Sequence, residues 1–315
     1  MTPDQALADL SDTFFSVSVA VYSVALVAFC AQLAFGRRPV RASELVGAGA
    51  PTAPDPAVEA PAPRNANRWG AVGIGLTVLG ILTLLASLVT RGLATERLPW
   101  GNMYEFGTAV VLVAVVAYTV LAVRAPVLRH MGAFVLAPVV LALVGIGLFL
   151  YAPAAPLVAA LRSSWLAIHV TSAILGFGIF FVSGIASVLY LVRMRFDARG
   201  DGGTTSLLSR LPTAAALDRV AHRTAVFGFP IWTFAVIAGA IWAESAWGRF
   251  WGWDPKETVA FVAWVVYAAY LHARTTAGWR GRPAAWVNVL GLAVMIFNLL
   301  FVNLVSTGMH SYGGV

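Results

Sequence analysis

The chain has 315 residues, of which 59% are hydrophobic and only 11% are charged, and its mean hydropathy is +0.80. A soluble domain carries about 25% charged residues, so the composition excludes a soluble globular protein and predicts a membrane protein. The single cysteine, Cys30, excludes an internal disulfide and a C-x-x-C thiol-exchange centre.

Runs of about 20 apolar residues recur along the chain, and each is long enough to cross a hydrocarbon core of about 30 Å. They predict an all-α, polytopic integral membrane protein with about eight transmembrane helices. The predicted spans are Phe14–Phe35, Trp69–Val89, Phe106–Val123, Met131–Tyr151, Trp165–Val192, Ala225–Trp242, Thr258–Ala273 and Ala284–Val305.

Composition divides the chain into three parts. Residues 1–36 hold a first transmembrane helix, and residues 37–67 are rich in Ala and Pro, which predicts a flexible cytoplasmic linker. Residues 68–315 then form a seven-helix domain. The segment 194–220 is predicted to be a second, shorter linker on the same side of the membrane.

The basic residues are distributed unevenly between the two sides. Of 21 Lys and Arg residues, 16 lie in the segments 37–68, 124–129, 193–223 and 274–282, and the alternate loops hold the other five. The positive-inside rule therefore places both termini outward, away from the cytoplasm. The net charge of +7 is explained by this topology, so no nucleic-acid partner is expected.

A dense tryptophan cluster follows the sixth span. Trp247, Trp251 and Trp253 fall within seven residues, and at helical spacing the first two would share a face. Tryptophans at this depth form either an aromatic belt at the membrane interface or a stacking platform for a large flat ligand. Their density favours the platform.

The four residues after this cluster have the pattern of a helix start. Asp254, Pro255 and Glu257 match a D-x-x-E capping box, so both carboxylates have a structural interpretation beside a ligand-binding one. Arg249 and Lys256 are the cations of this loop. They are candidates to pair with carboxylates of a ligand, with interfacial snorkelling as the alternative.

Three of the five histidines are candidate ligands. His169 lies about one turn into the fifth span and His310 follows the eighth, both on the side of the tryptophan loop. Two neutral imidazoles beside an aromatic platform suit six-coordinate haem iron, whereas zinc would need further ligands. His272 lies about 25 Å away at the inner end of the seventh span, where a helix-terminal role is equally good. His130 and His222 are interpreted as interfacial residues.

Several motifs resemble a known family. The segment WGRFWGWDPKE resembles the WWD signature of haem-handling membrane proteins. LPWGNMYEF, with Pro99, Asn102, Tyr104 and Glu105, resembles a second motif of one branch, the CcsA/ResC family of System II cytochrome c biogenesis, whose actinobacterial members are labelled CcsB. WLAIHV, GFPIWT, YLHAR, GWRGR and HSYG match in order. The resemblance covers residues 90–315 and leaves out the first helix and the linker.

The resemblance implies a cytochrome c synthase component in the plasma membrane with an extracytoplasmic active face. It implies that His169 and His310 bind the iron of haem b, and that His272 receives haem from inside with a histidine of a ResB-type partner. The remaining partners are apocytochrome c and membrane lipid. The thiols of a C-x-x-C-H motif would add to the haem vinyl groups, so the chain needs no nucleophile of its own.

Two other functions fit part of the pattern. A haem exporter or chaperone would pass haem on without ligation chemistry, and the LPWGNMYE motif argues against it. A respiratory subunit would hold haem between paired histidines on transmembrane helices, whereas two of the three relevant histidines here are expected at the surface.

Overall fold

The computed structural model describes residues 3–35, 64–156, 163–199, 206–306 and 308–310. Within these ranges the chain forms eight α-helices and no strand, which confirms the all-α prediction. The helices are α1 (Gln5–Phe35), α2 (Arg64–Thr95), α3 (Met103–Arg124), α4 (Gly132–Phe149), α5 (Ser164–Ala198), α6 (Ala214–Trp247), α7 (Pro255–Thr275) and α8 (Arg282–Leu304).

The chain is a multi-pass membrane protein. Of the helices in the described ranges, seven are long and apolar enough to cross a membrane, and α7 falls short. Its apolar stretch is shortened because Lys256 and Glu257 lie in its first turn and His272 and Arg274 in its last. The predicted number of about eight helices agrees with the structure.

The helices extend beyond the predicted spans, so the predicted linker 194–220 is wrong for its described residues. Helix α5 continues to Ala198 and α6 begins at Ala214. Arg193 of α5 donates at 2.8 Å to the carbonyl of Leu211, which lies in the segment before α6. A hydropathy pattern identifies only the apolar part of a helix, which lies in the lipid. The end of α5 and the start of α6 are polar, so the pattern does not include them. The linker 37–67 lies outside the described residues, except that 64–67 belong to α2.

Contacts between helix ends define two faces. At the end that carries most basic residues, Arg274 of α7 pairs with Asp218 of α6 at 2.6 Å. At the other end, the Asp4 amide donates to the carbonyl of Ala94 at 3.0 Å, which joins the start of α1 to the end of α2. The starts of α3, α5 and α7 lie at this second end, which is called the outer end below.

Helix α1 packs closely on α2 because α2 presents glycines to it. A Cβ added at Gly80 would lie 2.5 Å from the ring of Tyr22, and one at Gly73 would lie 2.8 Å from Phe29. Small residues allow such close helix approach inside a bilayer. The first helix, predicted as a separate part, is therefore in direct contact with the rest of the bundle.

Candidate functional site

A large, mainly apolar cavity opens at the outer ends of α3, α5, α6, α7 and α8. Its empty volume is about 1210 Å³, part of it open to solvent. Its lining is mostly apolar with a few polar side chains among them, which is typical of a site for a large hydrophobic ligand. The predicted site residues that line it are Asn102, His169, Trp247, Trp251, Lys256, Glu257 and His310.

His169 is held in one orientation on α5. Its Nδ1 lies 2.8 Å from the carbonyl oxygen of Ala235 on α6, and its ring stacks on Trp242 at 6.0 Å with an interplanar angle of 9°. A carbonyl only accepts, so Nδ1 carries the proton and Nε2 keeps its lone pair. Gly239 makes this approach possible, since a Cβ there would lie 2.7 Å from the imidazole.

His310 is fixed by a carboxylate on another element. Its Nδ1 lies 2.8 Å from Oδ2 of Asp254, while the Met309 amide donates to Oδ1 of the same residue at 2.6 Å. The ring packs edge-on against Trp247 at 5.0 Å and Trp242 at 5.9 Å. Asp254 therefore joins the segment after α8 to the start of α7.

Both histidines contact the same tryptophan. Their ring centroids are 6.0 and 5.9 Å from that of Trp242, so His169 and His310 are no more than about 12 Å apart. The two residues are separated by 141 positions in sequence. Helix α5, helix α6 and the segment after α8 bring them together at Trp242. Trp242 is almost completely buried and is a contact that both ligand candidates share.

Burial and hydrogen bonding both act on the charge states at this end. Burial lowers the pKa of the His310 imidazole, although Asp254 acts in the opposite direction. Burial alone would raise the pKa of Asp254, but hydrogen bonds from Met309 and His310 hold it below its ordinary value. The pair therefore favours a neutral imidazole beside a carboxylate near pH 7, which is the state that binds a metal.

The capping-box interpretation of Asp254 and Glu257 is confirmed. The Lys256 amide donates to Asp254 at 3.1 Å, and the Asp254 amide donates back to Glu257 at 3.1 Å. Asp254 also contacts His310, so the carboxylate has a second role within the protein besides the cap. Glu257 further accepts from the amide of Gly252 at 2.8 Å and lines the cavity.

The tryptophan loop is not helical, which corrects the expected shared face. Helix α6 ends at Trp247 because Gly248 adopts a left-handed conformation with φ 69°. Trp247 and Trp251 nevertheless both line the cavity. Trp253, at φ 57°, lies outside the lining with 66% of its surface exposed, and its ring packs on Trp251 at 5.8 Å.

The two cations of the loop have different surroundings. Arg249 pairs with Glu257 at 3.3 Å and lies 5.8 Å from the Trp247 ring, outside the lining. Lys256 lines the cavity, and its Nζ lies 3.4 Å from the carbonyl oxygen of Asn298. Lys256 is thus the better placed of the two to meet an anionic group of a ligand.

Part of the second predicted motif lines the cavity, and the rest of it is buried in the protein. Asn102 caps α3 by accepting from the Glu105 amide at 2.9 Å, and it lines the cavity. Tyr104 and Glu105 are buried on the opposite side, where Tyr104 packs against Phe15 at 5.0 Å. Pro99 lies against Gly92 near the end of α2.

The remaining histidines lie away from the cavity. His272 is exposed in the last turn of α7, about 25 Å along the helix from Pro255. His130 lies in a short 3-10 helix between α3 and α4. His222 lies about two turns after the start of α6.

Three tryptophans that line the cavity were not predicted as site residues from the sequence: Trp100, Trp232 and Trp242. Trp242 was assigned to the end of a span, yet it contacts both candidate histidines. Trp100 lines the cavity from the start of α3. The sequence contains a signal for Trp100: the Trp100-Gly101 pair of the second motif repeats the Trp251-Gly252 pair of the tryptophan loop.

Comparisons with known proteins agree on one family. The model of the cytochrome c assembly protein family matches residues 100–310. The cytochrome c biogenesis protein CcsA of Guillardia theta is 33% identical over 259 residues, 77% of this chain and 85% of that protein. CcsA of Synechococcus sp. (strain RCC307) is 37% identical over 261 residues, 76% and 83% of the two chains.

A solved structure supplies the fold. Cytochrome c haem lyase CcmF superposes with a TM-score of 0.64 at 17% identity, over 98% of this chain and 48% of that one. The family match extends from Trp100 to His310, so it includes every residue that lines the cavity, His169 and His310 among them. The chain belongs to the cytochrome c assembly protein family.

Proposed function

We propose that this chain is a component of the System II cytochrome c synthase and presents haem b for attachment to apocytochrome c. One observation carries the proposal: two imidazoles, His169 and His310, line one apolar cavity and contact the same tryptophan, Trp242. The CcsA relatives support a role in cytochrome c biogenesis. The haem is the substrate, and this protein holds it.

The fixed Nδ1 atoms support iron ligation through Nε2. In His169 the carbonyl of Ala235 accepts from Nδ1, and in His310 the carboxylate of Asp254 is its partner. Such partners fix the tautomer and ring orientation of a metal-binding histidine and raise its basicity. Each imidazole is thereby prepared to bind before haem enters.

The walls of the cavity suit the rest of the macrocycle. Trp247 and Trp251 offer aromatic surface to a flat apolar ring system. Lys256 is placed to pair with a propionate. Arg249, already paired with Glu257, acts by holding the loop, and Trp253 faces outward where an acceptor polypeptide would approach.

The reaction requires no nucleophile from this chain. Each cysteine thiol of the C-x-x-C-H motif adds across one haem vinyl group, so that a C–S bond forms and the thiol hydrogen goes to the second vinyl carbon. Holding haem and peptide in register converts a bimolecular reaction into an effectively intramolecular one, which supplies much of the rate.

The remaining roles follow from charge and exposure. The basic excess at the opposite end supports an outward, extracytoplasmic site in the plasma membrane. His272, exposed on α7 at the inner end, is proposed to receive haem together with a histidine of a ResB-type partner, from where haem moves to the outer site.

Assembly of a reporter cytochrome c in cells tests the proposal. His169→Ala and His310→Ala each abolish covalent haem attachment, and added imidazole partly restores it by supplying the missing ligand. His130→Ala, far from the cavity, leaves assembly unchanged. Covalent cytochrome formed with only this chain and its partner present separates a synthase from a haem exporter; haem delivery without covalent product supports the exporter.

A further inference from the structure

Two loops that both line the cavity share several local features. The segment from Arg97 to Glu105 precedes α3, and the segment from Arg249 to Glu257 precedes α7. Each loop has a Trp-Gly pair before an N-cap residue, Asn102 or Asp254, and a glutamate at the third helical position. In the α7 loop one further residue, Trp253, stands between the pair and the cap.

The glutamates make matching contacts. Oε2 of Glu105 accepts from the Gly101 amide at 2.7 Å, and Oε2 of Glu257 accepts from the Gly252 amide at 2.8 Å. Each is also paired with the arginine that begins its loop, Arg97 at 2.7 Å and Arg249 at 3.3 Å. In both loops the carboxylate thus fixes the backbone directly after a tryptophan.

The α3 loop is held more tightly than the α7 loop. Glu105 is completely buried and has a second arginine, Arg91, whose Nε lies 2.9 Å from Oε1 and whose side chain is 1% exposed. Arg97 donates further to the carbonyl of Ala155 at 3.0 Å. Burial of the charges on Arg91, Arg97 and Glu105 costs desolvation energy, and hydrophobic residues in their place would avoid that cost. We therefore interpret the three residues as fixing the position of the loop.

We infer that Trp100 forms a second aromatic wall of the haem site, separate from the tryptophan loop, and that Glu105 is the residue that positions it. Trp100 lines the cavity with Asn102, and Trp251 lines it from the other loop. It is partly buried against the core that contains Trp232 and Phe177. The inference rests on the proposed function and adds a haem-contacting residue outside the tryptophan loop.

Titration of the purified full-length chain with haemin, followed by its Soret absorption, tests Trp100. Trp100→Ala raises the dissociation constant about tenfold, and Trp100→Phe by less because a ring remains. The iron ligands are untouched, so the spectrum at saturation stays that of wild type. Trp286→Ala, exposed at the start of α8, is the matched control and binds as wild type.

The outcomes separate the inference from the function on which it rests. If the wild-type chain binds haemin and Trp100→Ala binds it with the same dissociation constant, Trp100 is not part of the haem site. The proposed function is not affected by that result. A wild-type chain that binds no haemin overturns both. A lowered affinity in Trp286→Ala as well would assign the loss to general damage and would also count against Trp100.

A double-mutant cycle tests positioning by Glu105. Glu105→Gln weakens haemin binding, and the double variant with Trp100→Ala binds no worse than Trp100→Ala alone, because Glu105 acts through that ring. Additive losses overturn the positioning role. If Glu105→Gln does not fold, the same double-mutant cycle is measured with Arg97→Lys. Lysine keeps the positive charge but loses the bidentate hydrogen bonds that Arg97 donates to Glu105.

Discussion

Nδ1 of His310 lies 2.8 Å from Oδ2 of Asp254, the carboxylate that also caps α7. One side chain therefore sets the start of a helix and the orientation of a proposed iron ligand. Any change at Asp254 affects both, and the two effects can be separated by the choice of substitution.

Asp254→Asn separates the cap from the carboxylate. Asparagine caps a helix about as well as aspartate, so the melting temperature in detergent changes little. Haemin affinity falls about 10- to 100-fold because His310 loses its charged partner. Asp254→Ala also loses about 1 kcal/mol of stability. Asp218→Asn at the inner end is the control, and unchanged haemin affinity in Asp254→Asn would contradict the account.

Close packing of α1 on α2 predicts opposite effects for two neighbouring glycines. Gly80→Ala places a methyl group 2.5 Å from the ring of Tyr22 and destabilises the protein by about 1–3 kcal/mol. At Gly75 a Cβ has no atom within 4 Å, so Gly75→Ala is neutral or slightly stabilising. Thermal unfolding in detergent measures both, and equal shifts would refute this packing.

The charge distribution predicts the location of the C-terminus. A phosphatase fused after Val315 is active, because that enzyme needs the extracytoplasmic side, and a fluorescent protein that folds only in the cytoplasm stays dark. A fusion after Arg210, in a basic inner segment, gives the reverse result. A fusion at Val315 with the cytoplasmic pattern would disprove the proposed orientation.

His272 is predicted to affect haem loading without affecting the fold. The residue is exposed in the last turn of α7, so His272→Ala removes no core packing. The haem-to-protein ratio of the chain purified with a ResB-type partner falls, while the melting temperature is unchanged. The haem-to-protein ratio is compared with and without His272→Ala in a chain that already carries His169→Ala and His310→Ala. Equal ratios would show that His272 is only a helix-terminal residue.

Sequence reasoning predicted the helices better than their ends. Apolar runs located all eight helices, because lipid burial requires uninterrupted hydrophobic residues. The same criterion placed the start of α6 at Ala225, eleven residues after Ala214, since its polar first turns lie outside the apolar run. Contacts with other elements, such as that of Arg193 with Leu211, order this region, and a local pattern does not contain them.

The site was predictable where its chemistry is local. The capping box of Asp254 and Glu257 follows from four consecutive residues and is confirmed. The contact of Asp254 with His310 spans 56 positions, so no local pattern indicates it. Trp242 was missed for the same reason, because its importance comes from contacts with His169 on α5 and with His310 after α8.

The most direct test of the account is the spectrum of ferric haem bound to the purified chain. With His169 and His310 as the two axial ligands, wild type gives a low-spin, six-coordinate spectrum. His169→Ala and His310→Ala each give a high-spin spectrum that added imidazole returns to low spin, and His130→Ala leaves the wild-type spectrum. A low-spin spectrum retained in either outer variant without imidazole would contradict ligation by this pair.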